Sequence, residues 1–282
     1  MDDVLTEAVV GLPEPRLRPY VDRYLGYREH AARPLVRREV AGAFVVLVLG
    51  WGAPLDVIDP RRVDLGAYGV NSFVAGPFDA YCTTRTVGIG AGVQLLMAPP
   101  AARRVLGLPL GDLANRAVGA DRLPGGWLDR LRDRLAEVPD WSGRFALLDA
   151  ALADRLAVAG PVDPHLSRAW RLLDGSGGGV AVGVLAEDIG WSRRHLAVRF
   201  RREFGLPPKT AARLLRFQRA YATLGRGLLT RSATTTGPDG WAERAVRFGY
   251  YDQAHLIRDF REFAGTTPAA LAAGGSHSSN PR

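Results

Sequence analysis

One block of residues near the C-terminus occurs twice in this chain. The second copy repeats the first at a constant offset of about sixty residues. The matched pairs are His195 and His255, Leu196 and Leu256, Phe200 and Phe260, Arg201 and Arg261, Gly205 and Gly265, and Pro208 and Pro268. A spacing match of this length is not expected by chance. The repeat therefore predicts that one supersecondary unit is used twice within a single domain.

Each copy has the residues that a helix-turn-helix needs at its turn. A small residue is required where the two helices nearly touch, and glycine is favoured where the turn takes a positive φ. Ala186 and Gly190 meet these requirements in the first copy, and Ala245 and Gly249 meet them in the second. The sequence therefore predicts two helix-turn-helix units.

The helix after each turn is predicted to have one apolar and one polar face. A leucine and a phenylalanine lie four residues apart in both copies, so each helix can bury an apolar stripe. Arginine suits guanine edges and phosphates, and glutamine suits adenine. We predict DNA contacts from the free faces and from the two predicted N-caps, Ser192 and Asp252. These candidates are Ser192, Arg193, Arg194, His195, Arg201, Arg202, Asp252, Gln253, His255 and Arg258.

Each of these residues also has a structural interpretation. An exposed arginine is usually only part of a solvated face, and His195 and His255 could pack between helices. Further arginines follow the first unit, and they could either neutralise phosphates or pair with acidic side chains. They are Arg213, Arg216 and Arg219, and the sequence does not decide between these roles.

The two units, AEDIGWSRRHLAVRFRREFGLPPKTAARLLRFQRA and WAERAVRFGYYDQAHLIRDFREFAGTTP, resemble the AraC/XylS family of bacterial transcription regulators. The resemblance covers roughly residues 175 to 272. It implies two helix-turn-helices joined by one long helix, here 208–224, with both recognition helices in successive major-groove segments. Two features depart from the family pattern. Val198 stands where the second unit has Arg258, and residues 225–240 form a longer connection that we expect to be a mobile surface loop.

Charge is distributed unevenly along the chain. Residues 1–162 contain 19 arginines against 19 acidic residues, whereas residues 163–282 contain 18 basic against 10 acidic residues. The whole net charge of +8 therefore lies in the C-terminal part. This asymmetry is typical of a DNA-binding module attached to a neutral domain.

Composition limits the class of protein. The chain has 282 residues with 47% hydrophobic and 23% charged residues, which suits two soluble globular domains. Its most apolar run is too short and too glycine-rich to span a bilayer, so we expect a cytoplasmic protein with no membrane partner. The single cysteine, Cys82, excludes an internal disulfide and a multi-cysteine metal site. Burial is a commoner role for such a thiol than redox sensing.

The spacing of apolar residues changes twice along the N-terminal half of the chain. Residues 17–30 have helical spacing, residues 39–97 read as several short strands, and residues 99–159 are helical again, with an N-cap near Ser142. The predicted fold class is α+β, with a small barrel-like (cupin-like) N-terminal domain and an all-α C-terminal domain. The predicted parts are 1–160, a sensing or association domain; 161–178, a linker helix and glycine-rich hinge; 179–272, the DNA-binding domain; and 273–282, a disordered tail.

The strand region also predicts where a small-molecule effector would bind. Candidate lining residues are Trp51, Tyr68, Phe73, Phe78, Tyr81, Arg85 and Gln94, although aromatic residues on strands are more often core. His30 is the only histidine before His165, so a metal-dependent barrel is disfavoured and neither a metal nor a cofactor is expected.

We expect a transcription regulator whose N-terminal domain senses a small molecule or mediates dimerisation. Its partners would be double-stranded DNA, RNA polymerase if it activates transcription, and a second copy if it is a homodimer. The alternatives are a ligand-free interaction module and, less favoured, an enzyme fused to a DNA-binding domain. No phosphate loop or nucleophile elbow supports the enzyme.

Overall fold

The computed structural model describes residues 4–229 and 238–273. The N-terminal part holds an antiparallel sheet, and the C-terminal part is helical, as the sequence predicts. The strands are β1 (Val4–Gly11), β2 (Val21–Glu39), β3 (Val45–Gly52), β4 (Leu55–Ile58), β5 (Ala67–Val70), β6 (Ser72–Ala75), β7 (Cys82–Met97) and β8 (Ala117–Gly119). The sheet has the order β1-β2-β7-β3-β6-β8, with β4 pairing β5 and β7. No described pairing joins β8 to β1, so the sheet is open and not a closed barrel.

The helices are α1 (Pro99–Leu106), α2 (Trp127–Glu137), α3 (Trp141–Val158), α4 (Pro164–Gly175), α5 (Val182–Asp188), α6 (Arg193–Phe204), α7 (Pro208–Leu229), α8 (Pro238–Arg247), α9 (Gln253–Ala264) and α10 (Pro268–Ala272). The joining helix predicted over 208–224 is confirmed as α7, which continues to Leu229. The ends of the predicted loop 225–240 are therefore helical, and residues 230–237 lie outside the described residues. The predicted tail also lies outside them from residue 274 onward.

The two faces of the sheet have different partners because side chains alternate along a strand. Val45, Leu47 and Leu49 of β3 point to a core shared with α1, α2 and α3. Val48, on the opposite face, packs with Phe73 and the other residues of a smaller cluster. One face thus builds the domain core, and the other face is left to line a cavity.

The prediction of a helix over residues 17–30 is wrong. Residues 17–20 form a turn, and β2 begins at Val21 and pairs with β1 on one side and β7 on the other. Leu17, Val21 and Tyr24 are all buried. Leu17 lies in the turn before the strand, and the pairing of β2 with β7 has an irregularity between Val21 and Tyr24, so the helical spacing of these residues arises without a helix. Tertiary pairing decides between helix and strand here.

One local prediction, the N-cap of α3, also needs correction. The helix α3 is capped by Asp140, whose Oδ1 accepts a hydrogen bond from the Gly143 amide at 2.8 Å, and not by Ser142. The glycine run at the end of α4, for which the hinge role stays a prediction, is a hydrogen-bonded turn in which Gly178 has a φ of 77°. A Cβ on Gly178 would lie 2.1 Å from the Ala212 carbonyl oxygen of α7. Close backbone contact with α7 is therefore one reason for glycine at this position.

Candidate DNA-binding interface

The first helix-turn-helix consists of α5 and α6. Gly190 has a φ of 70° in the turn, and Ala186 is buried between the helices, as predicted. The Ser192 hydroxyl accepts a hydrogen bond from the His195 amide at 3.1 Å, which confirms the N-cap. Capping satisfies one of the unpaired N–H groups at the start of α6.

The second unit, α8 and α9, repeats this geometry. Gly249 has a φ of 80°, Ala245 is fully buried, and Asp252 Oδ1 accepts a hydrogen bond from the His255 amide at 2.7 Å. One residue is added to the turn, and this residue, Tyr251, is 90% exposed. The repeated sequence thus produces two repeated structures.

The two matched histidines have matched contacts. The ring of His195 meets Trp191 edge-on at 4.5 Å, and the ring of His255 meets Tyr250 edge-on at 5.1 Å. Such contacts hold the turn against its helix. They favour the packing interpretation of both histidines.

The N-terminal half of each recognition helix carries exposed side chains. Arg194 on α6 and Arg258 on α9 are exposed, whereas Gln253 is half-buried. The guanidinium of Arg193 lies beside the backbone of Gly183 in α5. Val198, at the position equivalent to Arg258, is 61% exposed.

Arg201 and Arg202 lie at the other end of α6, about 10 Å along the helix from Arg194. There the chain of Gly111 approaches so closely that a Cβ on it would be 3.0 Å from the Arg202 carbonyl oxygen. The structure therefore does not bring all the predicted arginines of α6 together. Two groups result, one at each end of the helix.

The N-terminal domain contacts the C-terminal ends of both recognition helices. Carbonyl groups there lack partners within the helix. The carbonyl of Glu203 in α6 accepts a hydrogen bond from the Leu110 amide at 3.2 Å, and Phe263 in α9 accepts one from the Ala41 amide at 2.8 Å. The Glu203 carboxylate also pairs with Arg103 at 2.8 Å. One domain thereby holds both helices.

A second set of contacts adds to this hold on α9. The Tyr81 amide donates to the Glu262 carbonyl at 3.3 Å, and the Arg38 guanidinium donates to the Gly265 carbonyl at 2.9 Å. Arg38 also stacks over the Tyr81 ring at 5.0 Å. Sequence reasoning missed Arg38 because an arginine in a strand carries no local signal of a contact with a residue so distant in the chain.

The arginines of α7 hold the domain together. Arg213 pairs with Asp259 at 2.6 Å and with Glu262 at 2.7 Å, both on α9. Arg216 and Arg219 donate to the carbonyl groups of Gly178 and Ser176. Burial lowers the pKa of Arg213, but its hydrogen bonds to Glu262 and Asp259 outweigh this and raise it above the ordinary value. The structure thus shows internal partners for all three arginines.

A cavity of about 580 Å³ lies on the free face of the N-terminal sheet. Of the seven predicted effector contacts, Phe73, Phe78 and Gln94 line it. The other four residues lie elsewhere. Trp51 packs near Trp141 and Arg144, Tyr68 bonds the Val63 carbonyl, Tyr81 meets Arg38, and Arg85 pairs with Asp56.

Charged residues of β2 also line the cavity, and sequence reasoning missed them. They are Glu29, Arg37 and Glu39. Their odd-numbered spacing is a strand signal, since alternate residues share one face. The helical interpretation of 17–30 concealed this signal for Glu29. Cys82, on the neighbouring strand, is buried, and burial raises the pKa of its thiol, with a further contribution from Glu39.

Within residues 4–229 and 238–273, no group of three or more histidine, cysteine and acidic side chains is placed to hold a metal. None of the helices in these ranges is long and apolar enough to cross a membrane.

Two capped recognition helices, joined by α7, define a helix-turn-helix DNA-binding domain. Residues 185–274 match the family model of a helix-turn-helix domain. The matched residues lie within the part of the chain whose sequence resembles the AraC/XylS family.

The chain is similar in structure to ToxT from Vibrio cholerae, at 8% identity and a TM-score of 0.48, with 96% of this chain and 98% of that chain covered. The C-terminal domain of AraT, a response regulator from Geobacillus stearothermophilus, is 21% identical, with a TM-score of 0.34 and coverage of 42% of this chain and 92% of that chain. The AraC-like transcriptional activator CuxR is 14% identical, with a TM-score of 0.26 and coverage of 84% of this chain and 91% of that chain. No curated relative matches the sequence.

Proposed function

We propose that this regulator reads two blocks of DNA with α6 and α9, and that a small molecule in the N-terminal cavity changes how these helices are presented. Arg194 and Arg258 contact bases, and the surrounding positive charge supplies salt-dependent attraction to phosphates. The main support for this proposal is that the N-terminal domain forms hydrogen bonds to the C-terminal ends of both recognition helices. These bonds leave the N-terminal halves of the helices free.

The proposed control follows from the same contacts. A ligand can regulate only by binding one arrangement of the domains better than another. Because the cavity and the helix contacts share the chain around Ala41, a ligand that moves this segment changes the hold on α9. The domain would then be a sensor and not only an association module. Mass measurements of the full chain at several concentrations, with and without added small molecules, distinguish ligand-dependent association from a constitutive homodimer.

Selection of binding sequences from a random DNA pool tests the DNA-binding proposal. The full-length protein at two salt concentrations should enrich a motif with two blocks about one helical turn apart, since the two reading helices are similar units on one joining helix. Affinity should fall as salt rises. Enrichment of a single block, or of no sequence, contradicts a two-helix reading.

Val198 is expected to recognise a thymine methyl group in the block read by α6. Apolar side chains in the major groove contact this methyl, and Val198 is exposed where α9 presents Arg258. Replacing the contacted thymine by uracil, which lacks the methyl, should weaken wild-type binding by about 1 kcal/mol. Binding of Val198→Ala should be insensitive to that replacement. Affinities are measured by fluorescence anisotropy. If the wild type and Val198→Ala lose the same affinity when thymine is replaced by uracil, Val198 does not contact the methyl group.

A further inference from the structure

The cavity in the N-terminal domain has largely apolar walls. Phe44, Phe73 and Phe78 line it together with aliphatic side chains of β3 and β4. Its volume of about 580 Å³ falls within the range of sites that enclose small organic molecules. Shape and lining therefore suit a ligand with an aromatic or aliphatic body.

The charges in this cavity do not balance. Among the described residues that line it, the charged ones are Glu29, Arg37 and Glu39. Arg37 and Glu29 form a two-pronged ion pair, so the guanidinium charge is largely matched within the protein. Glu39 accepts a hydrogen bond from the Thr84 hydroxyl at 2.9 Å, which brings no positive charge. One carboxylate thus remains in excess.

Burial in the cavity raises the pKa of Glu39, while Thr84 and Arg37 partly oppose this. An ionised carboxylate in an apolar site is costly unless a cation pairs with it. A ligand that carries a positive charge would remove this cost. An anionic ligand would instead meet Glu39, and would find Arg37 already engaged by Glu29.

We propose that the cavity binds a small organic amine, with its ammonium group on Glu39 and its apolar body among Phe44, Phe73 and Phe78. The proposal rests on the ligand-controlled function above and names the chemical class of that ligand.

The position of Glu39 connects this site to the DNA-binding domain. Two residues later, the Ala41 amide bonds the Phe263 carbonyl of α9, and the Ala43 amide bonds the Gln218 side chain of α7 at 3.1 Å. Cys82 pairs with Glu39 across the two strands, and Tyr81 beside it bonds the Glu262 carbonyl of α9. An ammonium on Glu39 therefore acts next to two contacts that hold a recognition helix.

Three probes of nearly equal size test the charge of the ligand. They are phenylbutylamine, phenylbutanol and phenylbutyrate, which are cationic, neutral and anionic at neutral pH. Calorimetric titration of the full-length protein should show the amine binding at least about tenfold more tightly than the alcohol, with the carboxylate weakest. Tightest binding by the carboxylate, or no binding by any of the three, overturns the proposal.

Glu39→Gln keeps the size of the side chain and removes its charge. It should lower the affinity for the amine by about tenfold and leave the affinity for the alcohol nearly unchanged. Glu137→Gln, at an exposed position of α2, is the matched control and should change neither. An unchanged amine affinity in Glu39→Gln refutes the role of this carboxylate. The ranking of the three probes on the wild-type protein is decisive even if Glu39→Gln fails to fold.

DNA binding measured beside these titrations separates the two proposals. If the amine binds through Glu39 but leaves the affinity for the selected DNA unchanged, the ligand site stands and the proposed control of DNA binding fails. If the protein selects a two-block motif but binds none of the probes, the DNA-reading function stands and the amine site fails.

Discussion

Arg213→Met is expected to destabilise the protein by about 3 kcal/mol, since it leaves a buried acidic side chain without its partner. Asp259 is fully buried, and its contact with Arg213 at 2.6 Å joins α7 to α9. The loss should appear as a lower urea midpoint for unfolding, followed by circular dichroism. The second recognition helix should lose its fixed position, and DNA binding should weaken with it.

Two further variants test the cause of this loss. Arg213→Met combined with Asp259→Leu removes both charges and should recover most of the stability, because an apolar pair can replace a buried ion pair. Arg216→Met, which loses a single hydrogen bond to the Gly178 carbonyl, should cost about 1 kcal/mol. A double variant as unstable as Arg213→Met would show that the ion pair is not the source of the effect.

Arg194→Ala and Arg258→Ala should each weaken binding to the selected DNA by about tenfold to a hundredfold. Each variant should relax base preference in its own block of the motif, since each arginine lies on a different recognition helix. The double variant should show the sum of the two free-energy losses, because distant sites are additive. Fluorescence anisotropy with the selected DNA and with single-base variants measures both effects.

Arg201→Ala serves as the comparison on the same helix. Arg201 lies at the end of α6 that faces the N-terminal domain, so its removal should leave base preference unchanged. A uniform loss of affinity across all sequences for Arg194→Ala or Arg258→Ala would assign those side chains to phosphates. Relaxed base preference in Arg201→Ala would instead extend the reading surface to the C-terminal end of α6.

The helix-turn-helix units could be predicted in detail because their signals are local. A positive φ at Gly190 and Gly249, and N-caps at Ser192 and Asp252, depend on residues a few positions apart. The ligand cavity could be predicted only as a region. Tyr81 and Arg85 are only four residues apart, yet neither lines the cavity. Tyr81 contacts the DNA-binding domain, and Arg85 pairs with Asp56. Which face of a strand is covered depends on residues distant in sequence.

The sequence by itself determined the class of the C-terminal domain, the turns and caps of both units, and the positive charge that suits DNA. These properties follow from residue type and short-range spacing. Only the tertiary structure decided that residues 21–39 are a strand, that Arg213 pairs with α9, and that Arg38 and Ala41 hold the end of a recognition helix. The physical reason is that strand pairing and the pairing of buried charges are set by partners distant in the chain, for which a single sequence has no local signal.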